Sequence, residues 1–183
     1  MRKSLLFTAL LPLLFVSGCL LPGGNPEARV TEQTLQTRFD AEAARNQLRA
    51  GDNTIVGSAF FPLQDGDVRF ASGKEVFLIP STEYARERML KTYGNLTRGY
   101  RSIGEGVVTF AGTPQEYVDL QKSTMAGARG EFKFTGLADG EYFVVTGFTW
   151  RWEDRTHKYL SGGYLMHKVS VSGGETREIV LAP

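Results

Sequence analysis

The chain has 183 residues, with 21 lysines and arginines against 20 aspartates and glutamates, a formal charge of +1. So even a balance supplies no concentrated basic face of the kind that nucleic acid requires. One cysteine rules out an intramolecular disulfide and two histidines leave little for an imidazole metal centre, so stability must come from a packed core, which a domain of about 130 residues can supply.

Arg2 and Lys3 open the chain, and an uncharged stretch follows from Leu5 to Val16. Spanning a bilayer takes about 20 apolar residues. This run has 12 and ends in the small residues Ser17 and Gly18, so residues 1–18 read as a signal peptide. Val16-Ser17-Gly18-Cys19 resembles the lipobox of bacterial lipoproteins, which places an aliphatic residue three before, and small residues two and one before, an acceptor cysteine. The resemblance implies that Cys19 is the lipid attachment residue and the first residue of the mature chain. Two acyl chains already anchor stably. In that family an aspartate after the cysteine favours the inner membrane; Leu20 stands there, which implies the outer membrane, periplasmic face. Cleavage would remove Arg2 and Lys3 and leave a formal charge of about −1.

Residues 19–30, with Pro22, Gly23, Gly24, Asn25 and Pro26, read as a flexible tether. Residues 31–50 carry Leu35 and Phe39, then Ala44 and Leu48, at i,i+4 spacing and predict a helical segment that Gly51 stops. The period then becomes two. Strands are predicted at 54–61, around Val68 and Phe70 after an Asp65-Gly66 turn, and at 74–80. Ser81-Thr82-Glu83 starts a capped helix with an Ala85, Met89, Tyr93 stripe, ended by Gly94-Asn95. Residues 96–114 read as loops with one brief strand near Val107. Further strands are predicted at 117–122, 130–134, 142–152, 158–159, 165–171 and 176–181. The predicted class is mainly β, a β-sandwich over 51–183 with an inserted helix and an N-terminal helical segment.

The run from Gly130 through Phe132, Phe134, Leu137, Gly140 and Tyr142 to Val144 resembles the signature of carboxypeptidase regulatory-like domains, which are transthyretin-like Greek-key β-sandwiches. In this pattern Phe132 and Phe134 share one strand face, Gly140 closes a turn, and Tyr142 and Val144 return on a matching face. The resemblance covers about Thr54 to Ala182 and is interrupted by an insertion at 81–127.

Two enzyme families carry related folds. Transthyretin-like hydroxyisourate hydrolases finish in Tyr-Arg-Gly-Ser, whereas this chain finishes Ile179-Val180-Leu181-Ala182-Pro183. Zinc carboxypeptidases need ligand-spaced histidines and a glutamate, and His157 and His167 have no such partner. The expectation is therefore no enzyme, no metal and no cofactor, with a small hydrolase of unknown substrate using His157 or His167 as an alternative. Ser161-Gly162-Gly163 and Gly104-Glu105-Gly106 read as tight turns. Phe148, Trp150 and Trp152 lie at i, i+2, i+4 with Arg151, Arg155 and Tyr159 nearby. They form either an aromatic strip that stacks on sugar rings or a continuation of the inward row of Tyr142, Val144 and Thr146. Trp150, Arg151, Trp152 and Tyr159 are the candidate ligand-binding residues. Arg86, Arg88, Lys91, Arg98 and Arg101 read as a solvated basic face, or as a seat for anionic head groups or peptidoglycan. The functional expectation is an outer-membrane-anchored periplasmic lipoprotein with a non-catalytic interaction or structural module. Its partner would be another envelope protein or peptidoglycan; a glycan-binding module is the alternative.

Overall fold

Strand alternation sorts the large apolar side chains into two clusters on opposite faces of one sheet. The computed structural model describes residues 29–153 and 158–183. The N-terminal part contains β1 (Val30–Gln33), α1 (Ala41–Gln47), β2 (Ala50–Pro62), β3 (Val68–Phe70) and β4 (Glu75–Pro80). Then come α2 (Glu83–Tyr93), β5 (Arg98–Ser102), a 3-10 turn at Ile103–Glu105, β6 (Val107–Phe110), α3 (Gln115–Asp119) and β7 (Lys122–Met125). The chain closes with β8 (Glu131–Leu137), β9 (Gly140–Glu153), β10 (Lys158–Val171) and β11 (Thr176–Leu181). The protein is mainly β, as its alternation predicts.

One sheet has the order β5-β10-β9-β4-β7; the other joins β11, β2 and β3, with β8 also paired to β2. β2 runs parallel to β11, from Thr54 opposite Thr176 to Ala59 opposite Leu181. Its other edge is shared. The Ala59 amide donates to the Gly130 carbonyl and its carbonyl accepts from the Ala71 amide, both at 3.0 Å, so β8 gives way to β3 there. Ile55, Phe61, Phe132, Phe134, Ile179 and Leu181 of this sheet meet Val76, Leu78, Tyr142, Val144, Phe148 and Leu165 of the five-stranded one, which makes a two-sheet core. The far face of the five-stranded sheet presents Ile79, Phe143 and Met166. There Tyr84, Ala85 and Met89 of α2 and Tyr117 of α3 cover it, with Leu35 and Phe39 beside them.

Helix α2 matches its expectation. Thr82 Oγ1 accepts from the Ala85 amide at 3.3 Å, and Gly94, at φ +68°, ends the helix with its amide on the Leu90 carbonyl. Four expectations are corrected. The segment 31–50 is helical only at Ala41–Gln47, because residues 30–33 pair in parallel with β6. Residues 117–122 are divided between α3 and β7, since Tyr117 turns inward against Tyr84. Residues 96–114, expected as loops with one brief strand, hold two, β5 and β6, and β5 and β7 form the two edges of the five-stranded sheet. Finally, β8 and β9 are not partners side by side. β8 pairs with β2 and β9 with β4 and β10, so Phe134 and Val144 meet across the core. Residues 1–18, Cys19 and the tether to Ala28 lie outside the described residues. No helix among the described residues is long and apolar enough to cross a membrane.

Asn53 of β2 ties two turns together. Its side chain, 1% exposed, donates to the Leu137 carbonyl at 3.0 Å and to Asp139 Oδ1 at 2.8 Å. Its carbonyl oxygen accepts from the amides of Gly174 at 2.8 Å and Glu175 at 3.0 Å. All four hydrogen-bonding positions of the amide are used. Asn53→Ala strips partners from two backbone amides and a buried carbonyl, so thermal or urea unfolding should show a loss of about 2–4 kcal/mol.

The segment before β2 is strapped to the outer layer by Glu87. Its carboxylate accepts from the Gln36 amide at 3.0 Å and the Thr37 amide at 2.8 Å. These bonds, that of Gln36 foremost, hold its pKa at about 2 against an ordinary 4.5. A carboxylate with a lowered folded pKa stabilises fully above its unfolded value and ceases to as pH falls through the folded one. The protection factors of the Gln36 and Thr37 amides should therefore fall between pH 4.5 and about 2, and Glu87→Ala should lower them at neutral pH.

Candidate functional site

β9 and β10 outlast their neighbours. They stay paired from Val171 opposite Gly140 to Lys158 opposite Glu153. β4 leaves β9 after Thr146 and β5 leaves β10 after Gly163. A two-stranded ribbon therefore overhangs one end of the sandwich.

An aromatic cluster fills the base of this overhang. The Phe61 ring of β2 lies 5.2 Å from Tyr100, 5.0 Å from Phe148 and 5.4 Å from Trp150, centroid to centroid. Phe61 and Phe148 are buried, while Tyr100 is 39% exposed and Trp150 is partly buried against the core. Edge-on and tilted rings at this spacing add about 0.5–1.5 kcal/mol per pair beyond their burial. The cluster is thus rigid at its root and open at its rim.

Two glycines make the cluster fit. A Cβ on Gly162 would stand 2.2 Å from the Phe148 carbonyl oxygen and 3.0 Å from the Trp150 ring, and the residue has φ +105°. One on Gly163 would stand 2.1 Å from the Arg101 carbonyl oxygen and 2.9 Å from the Tyr100 ring. The expected tight turn at Ser161-Gly162-Gly163 is therefore strand, chosen for close approach. The expected turn at Gly104-Glu105-Gly106 is the 3-10 turn and its cap.

The candidate residues separate by face. Phe148 and Trp150 share the inner face, so Phe148 is core while Trp150 sits where core ends. Arg151 points the other way, opposite Leu160, which is 51% exposed. It does not join the rings. Trp152 stands opposite Tyr159 in the ribbon, and Tyr159 is 38% exposed; the Trp152 side chain, Arg155 and His157 lie outside the described residues. The cation that does lie on the inner side is Arg69, exposed on β3 directly opposite Phe61. Sequence reading passed over it, although Phe61 and Arg69 are equidistant from Asp65 in the hairpin.

The basic group around α2 is mostly engaged. Arg88 stacks 4.2 Å from the Phe110 ring and 4.6 Å from Tyr117 and donates to Thr113 Oγ1 at 3.0 Å. Arg101 donates to the carbonyls of Gly106 and Glu105 at 2.9 Å. Arg86 pairs with Glu83 and Glu141, and Lys91 with Glu87. Arg88 and Arg98 have no acidic partner among the described residues, and of the two only Arg98 lacks a ring to stack on. The described residues also hold no cluster of three histidine, cysteine, aspartate or glutamate side chains fit for a metal.

No protein-family model matches the chain, and no curated protein does. Among solved structures, it is similar to a Pseudomonas aeruginosa protein described provisionally as carbohydrate-binding. The two share 19% identity at a TM-score of 0.68, over 80% of this chain and 99% of that one. At that identity the likeness concerns the fold. A 9R-lipoxygenase from Cyanothece matches at 10% identity and a TM-score of 0.24, over 83% of this chain and 18% of that one, too distant to carry weight.

Gly162→Ala should cost about 2 kcal/mol or more, since it adds backbone strain to a collision with the neighbouring strand. Thermal unfolding would measure the loss, and near-ultraviolet circular dichroism should register a disturbed Trp150.

Proposed function

We propose that this chain is a lipid-anchored envelope protein whose transthyretin-like β-sandwich binds a glycan at the aromatic mouth beneath the β9–β10 overhang. The observation that carries the reading is the meeting there of the exposed Tyr100 ring, the partly exposed Trp150 ring and the Arg69 position on the opposite sheet. Aromatic faces suit the apolar C–H faces of sugar rings, and a few placed polar groups fix orientation. The fold likeness to a protein described provisionally as carbohydrate-binding supports the same reading. The module works by binding, without catalysis. The parallel pairing of β2 with β11 and the Phe132, Phe134, Gly140, Tyr142 pattern support the transthyretin-like assignment.

The anchor rests on Val16-Ser17-Gly18-Cys19. From Cys19 to Ala28 the tether spans at most about 35 Å when extended. It reaches the described structure at Arg29, whose carbonyl accepts from the Val107 amide at 2.7 Å. Envelope glycans would lie within that reach.

The test is retention on peptidoglycan sacculi and on immobilised polysaccharide. Wild-type protein should be retained, and Tyr100→Ala and Arg69→Ala should each weaken binding about tenfold, equivalent to about 1.4 kcal/mol. Both residues are exposed, so the variants should fold. Equal retention of all three proteins would sink the glycan reading. Separately, Cys19→Ser should block maturation and release the protein from membranes; normal anchoring would refute lipidation.

A further inference from the structure

The flank where β10 and β11 run side by side is unsealed. β5 covers β10 only to His167, after which the Lys168 amide donates to the Thr97 carbonyl at 2.8 Å. β11 is paired along one edge, to β2. Between the two free edges runs an open groove of about 420 Å³ lined by Arg98, His167, Val169, Arg177 and Ile179. Val169 and Ile179 belong to the core and form its floor.

Alternation fixes which charges belong to this groove. Arg98 stands opposite His167, and His167 opposite Val144, so all three lie on the core-facing side of the five-stranded sheet. Arg177 alternates with the buried Ile179 and Leu181, which puts it on the core-facing side of the other sheet. One arginine therefore comes from each sheet at a position that would be apolar were the flank closed. Glu178 lies on the opposite face of β11. Lys168 is engaged by Glu141 at 2.8 Å on the outer face. Arg177 reaches Glu175 at 3.3 Å, an exposed contact of little strength. Arg98 has no carboxylate within ion-pair distance among the described residues. The groove's lining thus sets Arg98, Arg177 and Lys168 against Glu178, with Glu175 reaching Arg177 from the preceding turn, so positive charge is in excess.

His167 adds a proton acceptor. Its Nδ1 lies 3.0 Å from the Val180 carbonyl oxygen. A carbonyl can only accept, so Nδ1 carries the proton and Nε2 of the neutral ring keeps a bare lone pair. Burial first, and then the Arg98 charge, lower the imidazole pKa, against the Val180 hydrogen bond that raises it. The groups facing this ring are Arg98 from β5 and Arg177 with the Val180 carbonyl from β11. An anion seated between the arginines would offset their charge and favour a proton on Nε2.

We propose that this flank is an anion site, taking a carboxylate or phosphate group between Arg98 and Arg177, and that His167 takes up a proton from solvent at Nε2 as the anion binds. The site is independent of the aromatic mouth. Because protonation and binding favour each other, affinity rises as pH falls toward the lowered imidazole pKa of the free protein.

The experiment titrates the full-length protein in detergent with inorganic phosphate and, separately, with glucuronate, reading the His167 imidazole by nuclear magnetic resonance. Sodium chloride at matched ionic strength is the control, and His167→Gln assigns the signal. A saturable shift with either probe supports the site and says whether phosphate or carboxylate is preferred. The His167 titration should move upward in the complex, and Arg98→Gln and Arg177→Gln should each weaken binding about tenfold or more. No saturable shift beyond the chloride control with either probe, or shifts unchanged in both arginine variants, would overturn the proposal.

Discussion

Strand β9 has no solvent-facing side between Tyr142 and Val144, all three of which are fully buried. Tyr142 and Val144 point into the space between the sheets, whereas Phe143 points the other way. A strand buried on both faces needs a layer on each. The second sheet supplies one. The other is assembled from α2, α3 and the strap carrying Leu35 and Phe39, which is why residues 81–127 and the segment before β2 cannot be trimmed as decoration. Phe39, Tyr84 and Tyr117 pack mutually at 5.0–5.5 Å, so the strap and both helices share one aromatic knot over Phe143.

The same sheet explains where the openings arise. Its central strands are longer than its flanking ones, so β9 and β10 project beyond β4 and β5 at one end, and β10 continues past β5 at the other. At the first end the unmatched length holds Trp150, next to Tyr100 from β5. At the second, Val169 and Val171 of the unmatched length are buried, and the opening lies beside the last matched pair, His167 and Arg98. Both openings follow from mismatched strand lengths.

The strands around Ile55, Leu78, Phe132 and Tyr142 were legible in the sequence because a buried face imposes period two, and α2 was legible because Thr82 and Gly94 mark its ends. Pairing was not. Nothing local distinguishes a return strand in the same sheet from one in the facing sheet, and the Phe132-to-Val144 run illustrates this: its turn crosses the core. Residues 30–33 have no apolar alternation to declare a strand, since β1 is exposed and held by pairing with β6 alone. At the candidate site, Trp150 was visible as an aromatic at the right spacing. Tyr100 and Arg69 were not, because they reach the mouth from β5 and β3, and only the register with Leu165 and Phe61 brings them there.

The strap also governs how the N-terminus is coupled to the rest. Between Arg29 and the start of β2 the chain makes the β1–β6 ladder, the Glu87 bonds to Gln36 and Thr37, the Arg45–Glu116 ion pair and the Gln47 contact with the Glu141 carbonyl. Tyr142 closes the series by donating to the carbonyls of Gln47 at 2.8 Å and Ala138 at 3.0 Å. A pull on residue 29 therefore meets the β1–β6 ladder and the exposed polar contacts, and then the packing of Leu35 and Phe39, before it reaches the two-sheet core. Peeling the strap uncovers Tyr84, Tyr117 and the outer face of Phe143, yet leaves the Ile55, Phe134 and Val144 core closed. Tension applied at residue 29 would thus be absorbed in the outer layer, and the inward-facing mouth at Phe61 and Trp150 would keep its geometry.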